Sequence, residues 1–261
     1  MYAPDGTGYD LTGPTAAPVV VLAHGVGLDR RMWDAQVKAL SATHRVLCYD
    51  MWGHGASPVR PATVSIYDFS EQLCALLAHL EIDRIALVGF SMGGVVAQRF
   101  AADYPDTVTR LVLMSTVYRR YEEELSGVRK RLQMTIEEGV AATAEAAIER
   151  WFPADYGVTH PQVLDTVRQR LLSNDPRGYV DAYRVFVNAD EEIGDALRSV
   201  ACPSLVITGA DDVGSTPIIA QRMVADLADA RLVILDGLRH MAPVEDPARV
   251  NAELYRFLAT A

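Results

Sequence analysis

The sequence predicts an α/β fold, a mostly parallel, doubly wound sheet that carries an inserted helical cap. Three observations support this. Short runs rich in Val, Ile and Leu alternate with helix-length amphipathic stretches, the rhythm of strands joined by right-handed helical crossovers. The stretch 118–197 contains no such run and reads as helical and charged. A Gly-x-Ser-x-Gly pattern stands where one apolar run gives way to a helical stretch.

The apolar runs are 19–23, 45–50, 84–89, 110–114, 204–209 and 231–236. Each is short and apolar almost throughout, as expected of strands covered on both faces. Between them, 30–42, 67–80, 92–103, 217–227 and 248–258 place apolar residues at helical spacing. The last has Asp246 as N-cap and Pro247 at the first helical position, each suited to its place. Within the central stretch, helices are expected over 119–124, 128–138, 141–151, 162–173 and 179–189, with breaks at Phe152-Pro153 and Asp175-Pro176. The organisation that follows is a core of 1–117 and 198–261 with a cap over 118–197. The first eighteen residues, rich in Gly, Pro, Asp and Thr, are assigned no strand.

A chain of 261 residues, 50% of them hydrophobic, can bury a sizeable core in one unit. The formal net charge of -10 argues against nucleic acid or an anionic membrane as partner, because both need basic patches. No apolar segment approaches the roughly 20 residues of a membrane span, and no targeting peptide is expected at the N-terminus. Cys48, Cys74 and Cys202 form no C-x-x-C pair, which favours a reduced, cytoplasmic setting.

The chemistry centres on Gly89-Phe90-Ser91-Met92-Gly93-Gly94. A sharp turn from strand into helix lifts the serine hydroxyl to the carboxyl end of the sheet, and small flanking residues let neighbouring segments come close. Ser91 is the expected nucleophile. A serine hydroxyl needs a base oriented by a carboxylate, and this motif calls for the chain order Ser, acid, His. Past the run 204–209 come Asp211 and Asp212, and past 231–236 comes His240. Either aspartate has the right type; Asp212, deeper in the loop, is favoured, leaving Asp211 to cap or solvate the turn. His44, His79 and His160 are expected at the surface or in structural roles. Ser115 and Thr116 follow the run 110–114, so no acid comes from there.

Oxyanion donors are expected from the backbone N–H of Met92, after the nucleophile, and of Val26 in His24-Gly25-Val26-Gly27. His24 is read as holding that loop in shape. The glycines of the loop from Asp50 to Ser57 match no phosphate-binding pattern and are assigned to turn geometry. No His, Cys or carboxylate cluster has metal-ligand spacing, and neither a metal nor a cofactor is expected.

His24-Gly25, the Asp50 to Ser57 loop, Gly89 to Gly94, Asp212 and His240 together resemble the α/β-hydrolase superfamily, over nearly the whole chain. Within it the chain most resembles the 3-oxoadipate enol-lactonase group, through Glu149-Arg150-Trp151-Phe152, the stretch from Leu172 to Tyr179, and Ala210-Asp211-Asp212 with Thr216-Pro217. It departs from that group at Ala23-His24-Gly25-Val26-Gly27, the commoner esterase form. The resemblance implies a cofactor-independent hydrolase acting on a small ester or lactone. A carboxylated lactone would suit an arginine such as Arg150, with Trp151 as an apolar wall. The alternatives are a carboxylesterase or C–C bond hydrolase, or a slow-turnover signalling protein built on the same residues.

Overall fold

Runs that are apolar on both sides of the chain can shed water only in the middle of a layered sheet. In the computed structural model, which describes residues 1–60 and 64–259, the runs up to 204–209 form that layer, while 231–236, expected to be covered on both faces, becomes an edge strand in which only Leu235 is buried, because no strand pairs on its outer side. In chain order the elements are β1 (Tyr9–Thr12), β2 (Val19–Ala23), a 3₁₀ turn at Arg30–Trp33, α1 (Asp34–Leu40), β3 (Arg45–Tyr49), α2 (Ile66–His79), β4 (Ile85–Phe90), α3 (Met92–Asp103) and β5 (Val108–Met114). Then follow α4 (Glu122–Glu138), α5 (Val140–Trp151), α6 (Tyr156–Thr159), α7 (Pro161–Leu172), α8 (Pro176–Ile193), β6 (Ser204–Gly209), α9 (Pro217–Asp226), β7 (Ala230–Leu235), α10 (Ala242–Glu245) and α11 (Pro247–Leu258).

The seven strands lie in the order β1-β3-β2-β4-β5-β6-β7. All neighbours run parallel except β1, which pairs antiparallel with β3. Strands β4 and β6 are buried along their whole length. Leu87 and Val88, like Val206 and Ile207, have no exposed surface at all. The chain reverses its strand order between β2 and β4, and at such a switch point ligands bind outside the carboxyl ends of the strands. Ser91 follows β4 directly at that edge.

Five helices, α4 to α8, lie between β5 and β6. α5 packs on α4 and α7, and α8 runs back against α2, α3 and α4. α8 begins where Asp175 accepts the N–H groups of Arg177 and Gly178, with Pro176 at the first position.

Three expectations need correction. β1 lies within the N-terminal segment that was assigned no strand. Its four residues owe their conformation to pairing with β3, Tyr9 opposite Tyr49 and Thr12 opposite Val46, and not to an apolar run of their own. The separate helices over 119–124 and 128–138 are one helix, α4, starting at Glu122 and passing through Gly127 without a break. Two one-turn helices, α6 and α10, were not expected, since four residues carry too little periodicity to read.

Candidate active site

The turn between β4 and α3 puts Ser91 at φ 52° and ψ -115°, a region that L-residues with a side chain rarely occupy. The surroundings hold it there. The Ser91 N–H donates to the Met114 carbonyl at 2.9 Å, and the Thr116 hydroxyl donates to the Ser91 carbonyl at 2.6 Å. Gly93 lets α3 come close to β2: a Cβ there would sit 2.3 Å from the Ala23 carbonyl oxygen.

His240, in the loop after β7, points at the hydroxyl. Its Nε2 lies 3.2 Å from Ser91 Oγ, and its Nδ1 lies 2.8 Å from Asp212 Oδ2. An ionised carboxylate only accepts, so Nδ1 carries the proton and Nε2 is free to accept from the serine. The second oxygen of Asp212 accepts the N–H groups of Gly214 and Ser215, both at 2.9 Å. Burial pushes this carboxyl up, but His240 and those two N–H groups outweigh it and hold it below the ordinary carboxylate range. Asp211 is exposed at the turn, where its N–H donates to the Leu238 carbonyl. Of the two aspartates, Asp212 faces the imidazole.

The loop after β2 is held by two buried histidines. His24 donates from Nδ1 to the Gly25 carbonyl at 2.8 Å and accepts the Met51 N–H on Nε2 at 2.9 Å. His54 donates to the Trp52 carbonyl and accepts the Gly27 N–H at 3.0 Å. Burial and the neighbouring His24 push His54 down to about 3, so it stays neutral and keeps an acceptor. The carboxylate of Asp50 closes its own loop by accepting the N–H groups of Arg30 and Ala56, both at 2.8 Å. The role of His54 was not read from the sequence, because its partner lies in another loop.

Val26 lines the same cavity as Ser91, and its N–H donates to no carbonyl or side chain among the described residues. Met92 is the first residue of α3, where an N–H has no carbonyl one turn back. Both expected donors are therefore uncommitted. A serine hydroxyl within hydrogen-bond reach of an imidazole that a carboxylate orients is an arrangement able to activate the hydroxyl as a nucleophile.

A cavity of about 470 Å³ opens on Ser91 and His240. Residues of α4, α5 and α8 line it, including Arg150 and Trp151. The Trp151 ring stacks on the His240 ring. Arg131, Tyr179 and Tyr183 also line it; these were not read from the sequence, where they look like ordinary positions on amphipathic helices.

A sequence profile of the alpha/beta hydrolase family matches residues 20–253. The chain belongs to the α/β-hydrolase family. This hydrolase is 29% identical over 243 residues to an (E)-2-((N-methylformamido)methylene)succinate hydrolase of Acinetobacter baylyi, covering 92% of this chain and 90% of that one. It is 27% identical over 243 residues to 3-oxoadipate enol-lactonase 2 of the same organism, covering 93% and 89%. The crystal structure of the enol-lactonase from Burkholderia xenovorans LB400 superposes with a TM-score of 0.90 at 30% identity, over 97% of this hydrolase and 96% of that chain. Among the described residues, no helix of the hydrolase is long and apolar enough to cross a membrane.

Proposed function

We propose that this hydrolase cleaves a small ester or lactone through an acyl-enzyme on Ser91. The observation that carries the reading is the buried chain Asp212, His240, Ser91, with contacts of 2.8 and 3.2 Å, ending at a serine in a strained turn. His240 Nε2 takes the hydroxyl proton as Ser91 Oγ bonds to the carbonyl carbon, and Asp212 steadies the imidazolium. The N–H groups of Val26 and Met92 stabilise the oxyanion, each worth on the order of 3 kcal/mol of barrier. On collapse the C–O bond breaks and His240 returns its proton to the departing oxygen, which in a lactone stays tethered to the acyl group. His240 then deprotonates water, which attacks the acyl carbon, and the second collapse releases the acid and reprotonates Ser91.

In this reading 1–117 and 198–261 are the catalytic core and 118–197 is a cap that selects substrate. Arg150 and Trp151 contact the substrate from the cap, Arg150 through a carboxylate and Trp151 as an apolar wall. A volume of about 470 Å³ suits a small molecule, and enol-lactones are the named substrates of two relatives. The test is a screen of enol-lactones, γ-lactones and short acyl esters with Ser91→Ala as the blank. Multiple turnover that falls by about a million-fold in the variant is expected; turnover retained by Ser91→Ala would remove the mechanism. A single slow burst that leaves His240 modified would favour a signalling role instead.

A further inference from the structure

The N–H of Val26 belongs to the peptide group that joins Gly25 to Val26. A trans peptide is planar, with its C=O and N–H pointing in opposite directions, so whatever holds the Gly25 carbonyl aims that N–H. The carbonyl accepts from His24 Nδ1 at 2.8 Å and from the Leu28 N–H at 3.2 Å. The second bond closes a four-residue turn, Gly25 to Leu28, with Gly27 at φ 74° in the third position. A positive φ there calls for glycine. The direction of the Val26 N–H therefore depends on this turn keeping its shape.

Two side chains from distant parts of the sequence hold Gly27. Its N–H donates to His54 Nε2 at 3.0 Å, and its carbonyl accepts from Asn174 Nδ2 at 2.8 Å. Asn174 stands at the corner between α7 and α8, and the same nitrogen lies 2.7 Å from the Arg170 carbonyl and 3.1 Å from that of Leu171. All three neighbours are carbonyls, which only accept, so the amide nitrogen and not its oxygen faces them. Closing the end of α7 needs only the two local bonds; the third spans 147 residues to reach Gly27. The corner also presses on the turn: a Cβ on Gly27 would sit 2.6 Å from Tyr179 Cε2 and 2.7 Å from Leu171 Cδ2. Arg170 Nη2 makes a separate tie, to the Arg31 carbonyl at 3.2 Å, outside the turn.

We propose that Asn174 is a positioning residue for the oxyanion hole. From the segment between β5 and β6 it fixes the Gly27 carbonyl, and through the turn it fixes the direction of the Val26 N–H. The proposal rests on the acyl-enzyme reading above, in which that N–H stabilises the oxyanion.

The test follows turnover of 4-nitrophenyl butyrate and affinity for butyl trifluoromethyl ketone in wild type, Asn174→Leu and Asn174→Ala. The ketone forms a reversible adduct: Ser91 Oγ bonds to its carbonyl carbon, the serine proton passes to His240, and the carbonyl oxygen becomes an oxyanion that needs the same donors as the reaction. Fluorine NMR reads its affinity without turnover. Each variant should lose about 10- to 100-fold in kcat with KM within about twofold of wild type, and ketone affinity should fall by a similar factor. Arg170→Ala cuts the neighbouring tie but leaves Gly27 held, and it should stay within about twofold of wild type on all three readouts. Unchanged ketone affinity, a loss confined to KM, or an equal loss in Arg170→Ala would overturn the positioning role. A lower melting temperature with unchanged kinetics would equally overturn it and assign Asn174 to closing α7. If wild type turns over the ester through Ser91 and the Asn174 variants match it, the hydrolase reading stands and only this role falls; turnover retained by Ser91→Ala would remove the reading itself.

Discussion

The indole of Trp151 stacks on the imidazole of His240, ring centroids 5.9 Å apart and planes 29° from parallel. The contact joins the end of a helix from the 118–197 segment to the loop that carries His240. Hydrogen bonds run beside it. The Met241 N–H donates to the Trp151 carbonyl at 3.2 Å, and Arg239 Nη1 donates to the carbonyls of Glu149 at 2.9 Å and Phe152 at 3.1 Å. The residues on either side of His240 are thus tied to the carboxyl end of α5.

If His240 is the base proposed above, loosening this tie should misplace it. Arg239→Ala removes two charge-assisted bonds, and a small shift of a catalytic group is enough to cost up to about 100-fold in rate. The expected outcome is a fall in kcat with little change in KM, and a loss of stability of about 1–3 kcal/mol. Steady-state kinetics with thermal melts check both; a change confined to KM would show that the tie does not govern the placement of His240.

Asp212→Asn keeps the shape of the site but removes the charge that fixes the tautomer of His240. A loss of about 10⁴ in kcat is expected. The pH dependence has a definite sign. The folded carboxyl is held below its ordinary value, so its stabilisation is complete above the unfolded-state value of about 3.9 and is lost as pH falls through the lower folded-state value. Melting curves from pH 7 downward should show wild type and Asp212→Asn converging only at the acid end.

Glu245 has the opposite sign. Its carboxylate accepts the Arg239 N–H at 3.1 Å, yet burial, reinforced by Asp212 and Asp211, raises it to about 7. The folded state holds this proton more tightly than the unfolded chain, whose Glu titrates near 4.3, so its contribution to stability is present at low pH and is lost as pH rises from about 4.3 to about 7. Glu245→Gln should flatten the melting temperature across that window. A variant with the same slope as wild type would assign the slope to other groups.

Gly93→Ala tests the close approach behind Ser91. The added methyl would sit 2.3 Å from the Ala23 carbonyl oxygen and 2.5 Å from that of His24. Backbone on both sides leaves nothing flexible to yield, and a destabilisation of about 3 kcal/mol is expected. Chemical denaturation measures it, and a loss below about 1 kcal/mol would mean that β2 and α3 separate easily.

Local order was legible in the sequence wherever it depends on local pattern. The six apolar runs became β2 to β7 within a residue or two at their ends; β4 and β6 are apolar because both of their faces are buried, whereas β7, at the sheet edge, is apolar but mostly half-exposed, with only Leu235 buried. Asp246 and Pro247 started α11 as their types require. The places of Ser91 directly after β4 and of His240 after β7 were legible because the motif fixes where each falls relative to its strand. What depends on distant partners was not. β1 is a strand only against β3, and Asp212 is distinguished from Asp211 only by the position of His240. Arg131 and Arg150 meet in one cavity only because α4 and α5 fold back on each other. Periodicity and capping are properties of neighbouring residues, whereas the pairing or isolation of a charge is set by groups that only packing brings within a few ångströms.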